Sequence, residues 1–80
     1  MDPQPIQETI QTFLEQQSGL RPAPDDDLFE TGVLDSMGVV DLILHLEEVW
    51  NLEFNPEDVS MANLVTVRAI TAMVRAMLPP

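Results

Sequence analysis

The chain has 80 residues and a net charge of −11, with no cysteine and a single histidine. Disulfide scaffolds and Cys- or His-rich metal sites are therefore excluded, and a chain this acidic will not bind a nucleic-acid backbone. Apolar residues make up 45% of the sequence, and no apolar run approaches the roughly 20 residues of a membrane span. We expect one domain over residues 1–80, and a cytoplasmic location because no secretory signal is visible.

The first predicted helix follows Pro3 and Pro5 and ends at Gly19. Its apolar residues recur at helical spacing on one stripe. The stripe consists of Ile6, Ile10, Phe13 and Leu14.

A long connection, residues 18–35, separates the first predicted helix from the second. Connections of this length are uncommon in compact domains and are usually structured. Its apolar residues predict a loop pinned to the core, and they are Leu28, Phe29, Val33 and Leu34. The run Asp25-Asp26-Asp27 lacks the alternating ligands and glycine of a calcium loop, so we expect turn or capping residues there.

The second predicted helix runs from Ser36 to about Trp50. Asp35 is a suitable N-cap, and Asn51 tolerates the left-handed conformation that closes a C-terminus. A turn around Pro56 follows, and residues 60–63 predict a single helical turn.

Thr66 is the predicted cap of a last helix that ends near Met77, before Pro79 and Pro80. Its apolar stripe consists of Val67, Ile70, Val74, Met77 and Leu78. No segment alternates as a strand does. The predicted fold is all-α, a small bundle of three main helices plus a short helix before the last one, with a long structured loop between the first two.

The second helix carries two apolar faces. The predicted core face consists of Val39, Leu42, Ile43, Leu46, Val49 and Trp50. The opposite side, which we call the docking face, consists of Met37, Val40, Asp41, Leu44, Glu47 and Glu48. Covering both faces takes more helices than the chain provides. Apolar anchors with an acidic rim therefore predict an exposed surface for a basic partner.

Ser36 begins this helix and raises the question of nucleophilic catalysis. His45 is nine residues away, which places it on the opposite side of the helix and about 13.5 Å along it. The two residues cannot pair, and the chain has no lysine or cysteine to act instead. A serine hydrolase is therefore disfavoured, and we expect His45 to lie on the helix surface. A phosphate attached to Ser36 suits the positive end of the helix.

The stretch Leu34-Asp35-Ser36-Met37, with the apolar helix and Glu47-Glu48 after it, resembles the phosphopantetheine-attachment motif of acyl and peptidyl carrier proteins. The resemblance extends over the whole chain. Residues 27–34 are similar to the loop that leads into the motif, and residues 56–59 and 66–68 to the family's short third helix and the start of its last one.

The resemblance implies that a phosphopantetheinyl transferase attaches 4'-phosphopantetheine to Ser36, using coenzyme A and magnesium, and that Asp35 helps to orient the reaction. The arm's thiol would hold an acyl or aminoacyl group as a thioester, so the protein is a carrier and not an enzyme. The docking face matches the family's partner-recognition helix. The implied partners are the transferase, an adenylating ligase or acyltransferase with a basic surface, and a downstream acyl-accepting enzyme. We expect a monomer without membrane insertion.

Gly38 lies two residues after Ser36, where many fatty-acid carriers have an acidic residue. A glycine at this position resembles the stand-alone aminoacyl and peptidyl carriers, D-alanyl carrier proteins among them. Because core packing requires no glycine on this edge of the docking face, we expect its small size to serve the approach of a partner. An aminoacyl or specialised acyl cargo is favoured. A carrier of fatty-acid or polyketide synthesis is the alternative within the family, and an unmodified acidic helical adaptor is the alternative outside it.

Overall fold

Four helices and no strand are present in the residues that the structure, a computed structural model, describes: 4–55, 57 and 59–78. The helices are α1 (Gln4–Ser18), α2 (Ser36–Trp50), α3 (Met61–Leu64) and α4 (Val67–Met77). The predicted bundle of three main helices and a short one before the last is confirmed. The predictions for Pro3, Pro56, Pro79 and Pro80 lie outside the described residues.

Side-chain caps explain where the helices begin. Asp35, Ser60 and Thr66 each accept a hydrogen bond from the N–H three residues further on, at the starts of α2, α3 and α4. These bonds satisfy donors that have no partner inside a helix. Asn51 closes α2 in the left-handed conformation, with φ of 53°. The predicted caps Asp35, Thr66 and Asn51 are confirmed, while Ser60 lies just outside α3 instead of inside the predicted turn.

The core lies where α1 packs against α2 and α4, with α3 packed against α4. Its side chains are almost wholly aliphatic, as the composition predicts. They are Ile6, Ile10, Leu14, Leu28, Val33, Leu34, Leu42, Leu46, Leu64, Val67, Ile70, Met73 and Val74. The predicted stripes of α1 and α4 supply six of these thirteen residues, so hydrophobic periodicity alone locates these two helices.

The connection between α1 and α2 is a folded loop. Gly19 and Gly32 both have positive φ, 82° and 80°, a conformation that glycine adopts without steric cost. Between them, the Asp27 carboxylate accepts hydrogen bonds from the N–H groups of Phe29 and Glu30 at 3.0 and 2.9 Å. Leu28, Val33 and Leu34 are buried, so the prediction of a loop pinned to the core is confirmed.

Three contacts tie this loop to the start of α4. The Leu28 N–H donates to the Val65 carbonyl at 2.8 Å, and the Arg68 N–H donates to the Pro24 carbonyl at 3.0 Å. The Arg68 guanidinium also binds both carboxylate oxygens of Asp25, at 2.6 and 3.0 Å. That hydrogen-bonded contact lowers the pKa of Asp25. The residues that lead into α2 are thereby held against the far end of the chain.

Candidate functional site

Ser36 is the first residue of α2, and it is exposed. Directly before it, Asp35 has extended backbone geometry, and its Oδ1 accepts a hydrogen bond from the Gly38 N–H at 2.7 Å. The Asp35 carbonyl accepts the first helical bond, from the Val39 N–H at 2.9 Å. The cap therefore starts the helix at the serine, where unpaired N–H groups give a positive partial charge.

His45 does not serve Ser36 as a base. Its ring is stacked on Phe13 of α1, with centroids 4.2 Å apart and an interplanar angle of 16°. His45 is half-exposed at an open groove, as expected of a residue on the helix surface, but the sequence pattern does not predict its stacking on Phe13. With its imidazole engaged by α1, the chain offers Ser36 no histidine for nucleophilic catalysis.

The apolar part of the docking face is open to solvent. Met37, Val40 and Leu44 are 80%, 59% and 58% exposed. Asp41 and Glu48 are exposed beside them. Large apolar side chains grouped on one helix face at this exposure are typical of an interaction surface. The exposure of these five residues is as predicted, and their role in docking stays a prediction.

Glu47 differs from the rest of the docking face. It is half-buried, and its Oε2 accepts a hydrogen bond from the Phe54 N–H at 2.9 Å. Its carbonyl accepts a second bond, from the Leu52 N–H at 3.0 Å. Glu47 therefore holds the segment 52–54 against the end of α2 by hydrogen bonds. The sequence pattern does not reveal this structural role.

Gly38 is buried, which corrects the expectation that packing requires no glycine there. A Cβ atom on this residue meets Asp35 Oδ1 at 3.2 Å, Leu34 Cδ1 at 3.3 Å and Gln17 Oε1 at 3.4 Å. The first two distances are shorter than ordinary van der Waals contacts. The neighbours of Gly38 thus come from its own chain, and its place among partner contacts stays a prediction.

Val49, which the predicted core face includes, is not buried. It is 45% exposed and lines an open groove between α1 and α2, together with Thr12, Phe13 and His45. Gly38, Leu42 and Leu46 are the buried residues of α2. On a wheel of about 100° per residue Val49 falls between Gly38 and Leu42. Its exposure therefore comes from the open groove beside α1 and not from the face of α2 on which it lies.

An apolar recess of about 410 Å³ borders Ser36 on the α3 side. Its apolar lining consists of Phe29, Val39, Val59, Met61 and Leu64. Sequence reasoning missed this recess, since its residues come from the loop, α2 and the α3 region. The only signal was Phe29, already predicted to lie against the core. An exposed hydroxyl beside an open apolar surface leaves room for a long covalent substituent.

Other kinds of site find no support in the described ranges. No group of three or more His, Cys, Asp or Glu residues is placed to hold a metal ion there. Within the same ranges, no helix is long and apolar enough to cross a membrane.

Comparisons with known proteins agree with this geometry. Residues 4–74 match the family described as "Phosphopantetheine attachment site". The D-alanyl carrier protein of Streptococcus suis (strain 05ZYH33) is 37% identical over 85% of this chain and 95% of its own length. The D-alanyl carrier protein of Streptococcus sanguinis (strain SK36) is 43% identical over 61% of this chain and 67% of its own length. The chain therefore belongs to the family of carrier proteins that bear a phosphopantetheine attachment site.

Proposed function

We propose that this protein is an aminoacyl carrier that bears its 4'-phosphopantetheine arm on Ser36. Covalently bound phosphopantetheine and a carrier role, without catalysis of its own, follow from the family. The single observation that supports Ser36 is its place as the exposed first residue of α2, directly after the cap Asp35. The arm supplies a thiol, which this cysteine-free chain lacks, and that thiol holds the cargo as a thioester.

The residues around Ser36 suit a phosphodiester. The unpaired N–H groups of the first turn favour negative charge, by about 0.3–1 kcal/mol at an exposed site. Asp35 fixes the serine at the helix start by accepting the Gly38 N–H bond. The apolar recess next to the serine offers the arm a surface against which to lie.

The proposed partners dock on α2. A phosphopantetheinyl transferase needs access to the Ser36 hydroxyl, while an adenylating ligase and a downstream acyl-accepting enzyme need access to the end of the arm. The exposed Met37, Val40 and Leu44 supply apolar contact area, while Asp41 and Glu48 steer a basic surface toward it. We propose that the three enzymes use this face in turn.

The proposed cargo is an amino acid. The two relatives described above are named D-alanyl carrier proteins, which favours an aminoacyl group activated by an adenylating ligase. Fatty-acid or polyketide cargo is the alternative within the family. An acyl chain without the amino group, loaded faster than alanine by the native partner, would support the alternative.

Intact mass spectrometry tests the attachment site. We expect the wild-type protein, incubated with coenzyme A, magnesium and a broad-specificity transferase, to gain one phosphopantetheine and one titratable thiol. Ser36→Ala gains neither and stays folded, because Ser36 is exposed. Ser60→Ala is the matched control, since Ser60 lines the same recess, and it is modified like the wild type. Modification of Ser36→Ala would disprove the assignment, and a wild type that is never modified would favour the unmodified adaptor.

A further inference from the structure

Gly38 packs closely against residues of its own chain. It is the third residue of α2 and buried, whereas Ser36 and Met37 before it are exposed. Gln17, in the last turn of α1, closes over it from one side. Asp35 and Leu34 close over it from the other, and Leu34 is only 2% exposed. Gly38 still lines an open groove with Met37 and Asp41, but a side chain on it meets Asp35 and Leu34 of its own chain at close range.

The neighbours of Gly38 are the residues that place Ser36. Asp35 Oδ1 accepts the Gly38 N–H at 2.7 Å and also lies 3.2 Å from the position of a Cβ on the same residue. A side chain there therefore presses on the carboxylate that caps the helix. Leu34 cannot move away easily, since it is buried in the core cluster. The strain falls on the Leu34–Asp35 segment, whose next residue is Ser36.

We propose that Gly38 is a positioning residue for arm attachment. Its missing side chain lets Asp35, Leu34 and Gln17 close over the first turn of α2, and this closure sets the direction in which the Ser36 hydroxyl points. The inference rests on the proposed function of Ser36. It replaces close approach of a partner as the reason for glycine at this position.

The two explanations differ in the kinetic constant that they affect. Misplacement of a reacting hydroxyl by a few tenths of an ångström slows the chemical step and leaves docking intact, so kcat falls and KM for the carrier does not change. Obstruction of a partner's approach weakens docking, so KM rises. A general loss of stability changes neither constant while the protein remains folded.

The experiment compares wild type, Gly38→Ala and Gly38→Asp as substrates of one purified transferase, with coenzyme A and magnesium. Ile70→Val is the control for stability, since Ile70 is fully buried in α4 far along the chain. We expect Gly38→Ala to lower kcat about tenfold, with KM within about twofold of the wild type. Its melting temperature changes by no more than about 4 °C, because the helix preference of alanine opposes the tight contacts. Gly38→Asp loses more rate, since it adds a carboxylate next to Asp35.

Hydrogen exchange at the residue 38 amide provides a readout of the cap itself. We expect faster exchange in Gly38→Ala than in wild type, and no change in Ile70→Val. An unchanged kcat in Gly38→Ala, an effect on KM alone, or an equal loss of kcat in Ile70→Val would each overturn the inference. All of these outcomes presuppose modification of the wild type, so failure of the inference is distinct from failure of the proposed attachment at Ser36.

Discussion

Single polar side chains determine much of this small structure through local hydrogen bonds. Asp35, Ser60 and Thr66 each satisfy an N–H group at a helix start, and Glu47 does so for the loop after α2. Thr71 is different, because its Oγ1 is buried and has no hydrogen-bond partner among the described residues. A buried polar atom without a partner costs free energy of folding, so Thr71 weakens the core of α4.

Thr71→Val is expected to stabilise the protein. Valine has nearly the same shape and removes the unpaired hydroxyl, so the free energy of unfolding rises by about 1 kcal/mol. For a domain of this size the melting temperature rises by roughly 4–8 °C. Thermal denaturation followed by circular dichroism measures the change.

Thr66→Val is the matched control for this substitution. Thr66 Oγ1 accepts the Ala69 N–H at 3.0 Å, so the same replacement removes a cap and lowers the free energy of unfolding by about 0.5–2 kcal/mol. A Thr71→Val protein that melts below the wild type would show that the hydroxyl has a partner after all, for instance a buried water molecule.

At the scale of the element, α2 combines a packed side with an open side, and neighbouring residues can therefore have unlike roles. Glu47 and Glu48 are adjacent and identical in type. Glu47 holds the Phe54 N–H, whereas Glu48 is exposed. The loop before α2 likewise has nearby residues with unlike roles, since Leu28 is buried in the core while Asp25 pairs with Arg68 on the surface.

The variants Glu47→Lys and Glu48→Lys make the same change in charge and are expected to behave differently. Glu47→Lys leaves the Phe54 N–H without its acceptor, and it lowers the free energy of unfolding by about 1–3 kcal/mol. Glu48→Lys keeps the stability of the wild type, because exposed charges contribute little. Urea denaturation distinguishes them.

The association rate with the loading enzyme tests the docking role of the same residues. We expect Glu48→Lys to slow association, and added salt to slow the wild type in the same way, since charges at the rim of an interface mainly set the rate of encounter. Stopped-flow mixing measures both effects. A rate that is indifferent to salt and to Glu48→Lys would show that partners do not use this face.

The Asp25–Arg68 pair predicts a weak pH dependence of stability. The hydrogen-bonded guanidinium lowers the pKa of Asp25 below its ordinary value of 3.8, so the pair stabilises the fold above that pH. Its contribution is lost as the pH falls through the lowered pKa. We expect Asp25→Asn to melt slightly below the wild type at neutral pH, with the difference vanishing in acid. Glu30→Gln removes an exposed charge from the same loop and is the control, for which we expect no such pH-dependent difference in melting temperature from the wild type. If Asp25→Asn and the wild type have the same melting temperature at every pH, the pair contributes nothing to stability.

At the scale of the whole molecule, the sequence predicts the parts of the fold that depend on local rules. Caps such as Asp35 and Thr66 act within three residues, and the stripes of α1 and α4 follow from periodicity. The roles of Gly38, His45 and Val49 could not be predicted, because a helical wheel shows that a face is apolar but not which arc the neighbouring helix covers. The contact between Glu47 and Phe54 and the recess beside Ser36 depend on tertiary placement, which periodicity does not contain.

The central claim is that Ser36 carries the arm, and fragmentation mass spectrometry of the modified protein tests it most directly. The protein is co-expressed with a phosphopantetheinyl transferase, purified and fragmented along the backbone. We predict that the added mass lies on Ser36 in every modified molecule, and that it carries an aminoacyl group after incubation with an alanine-activating ligase and ATP. An added mass that maps to Ser18, Ser60 or a threonine, with Ser36 unmodified, would contradict the account.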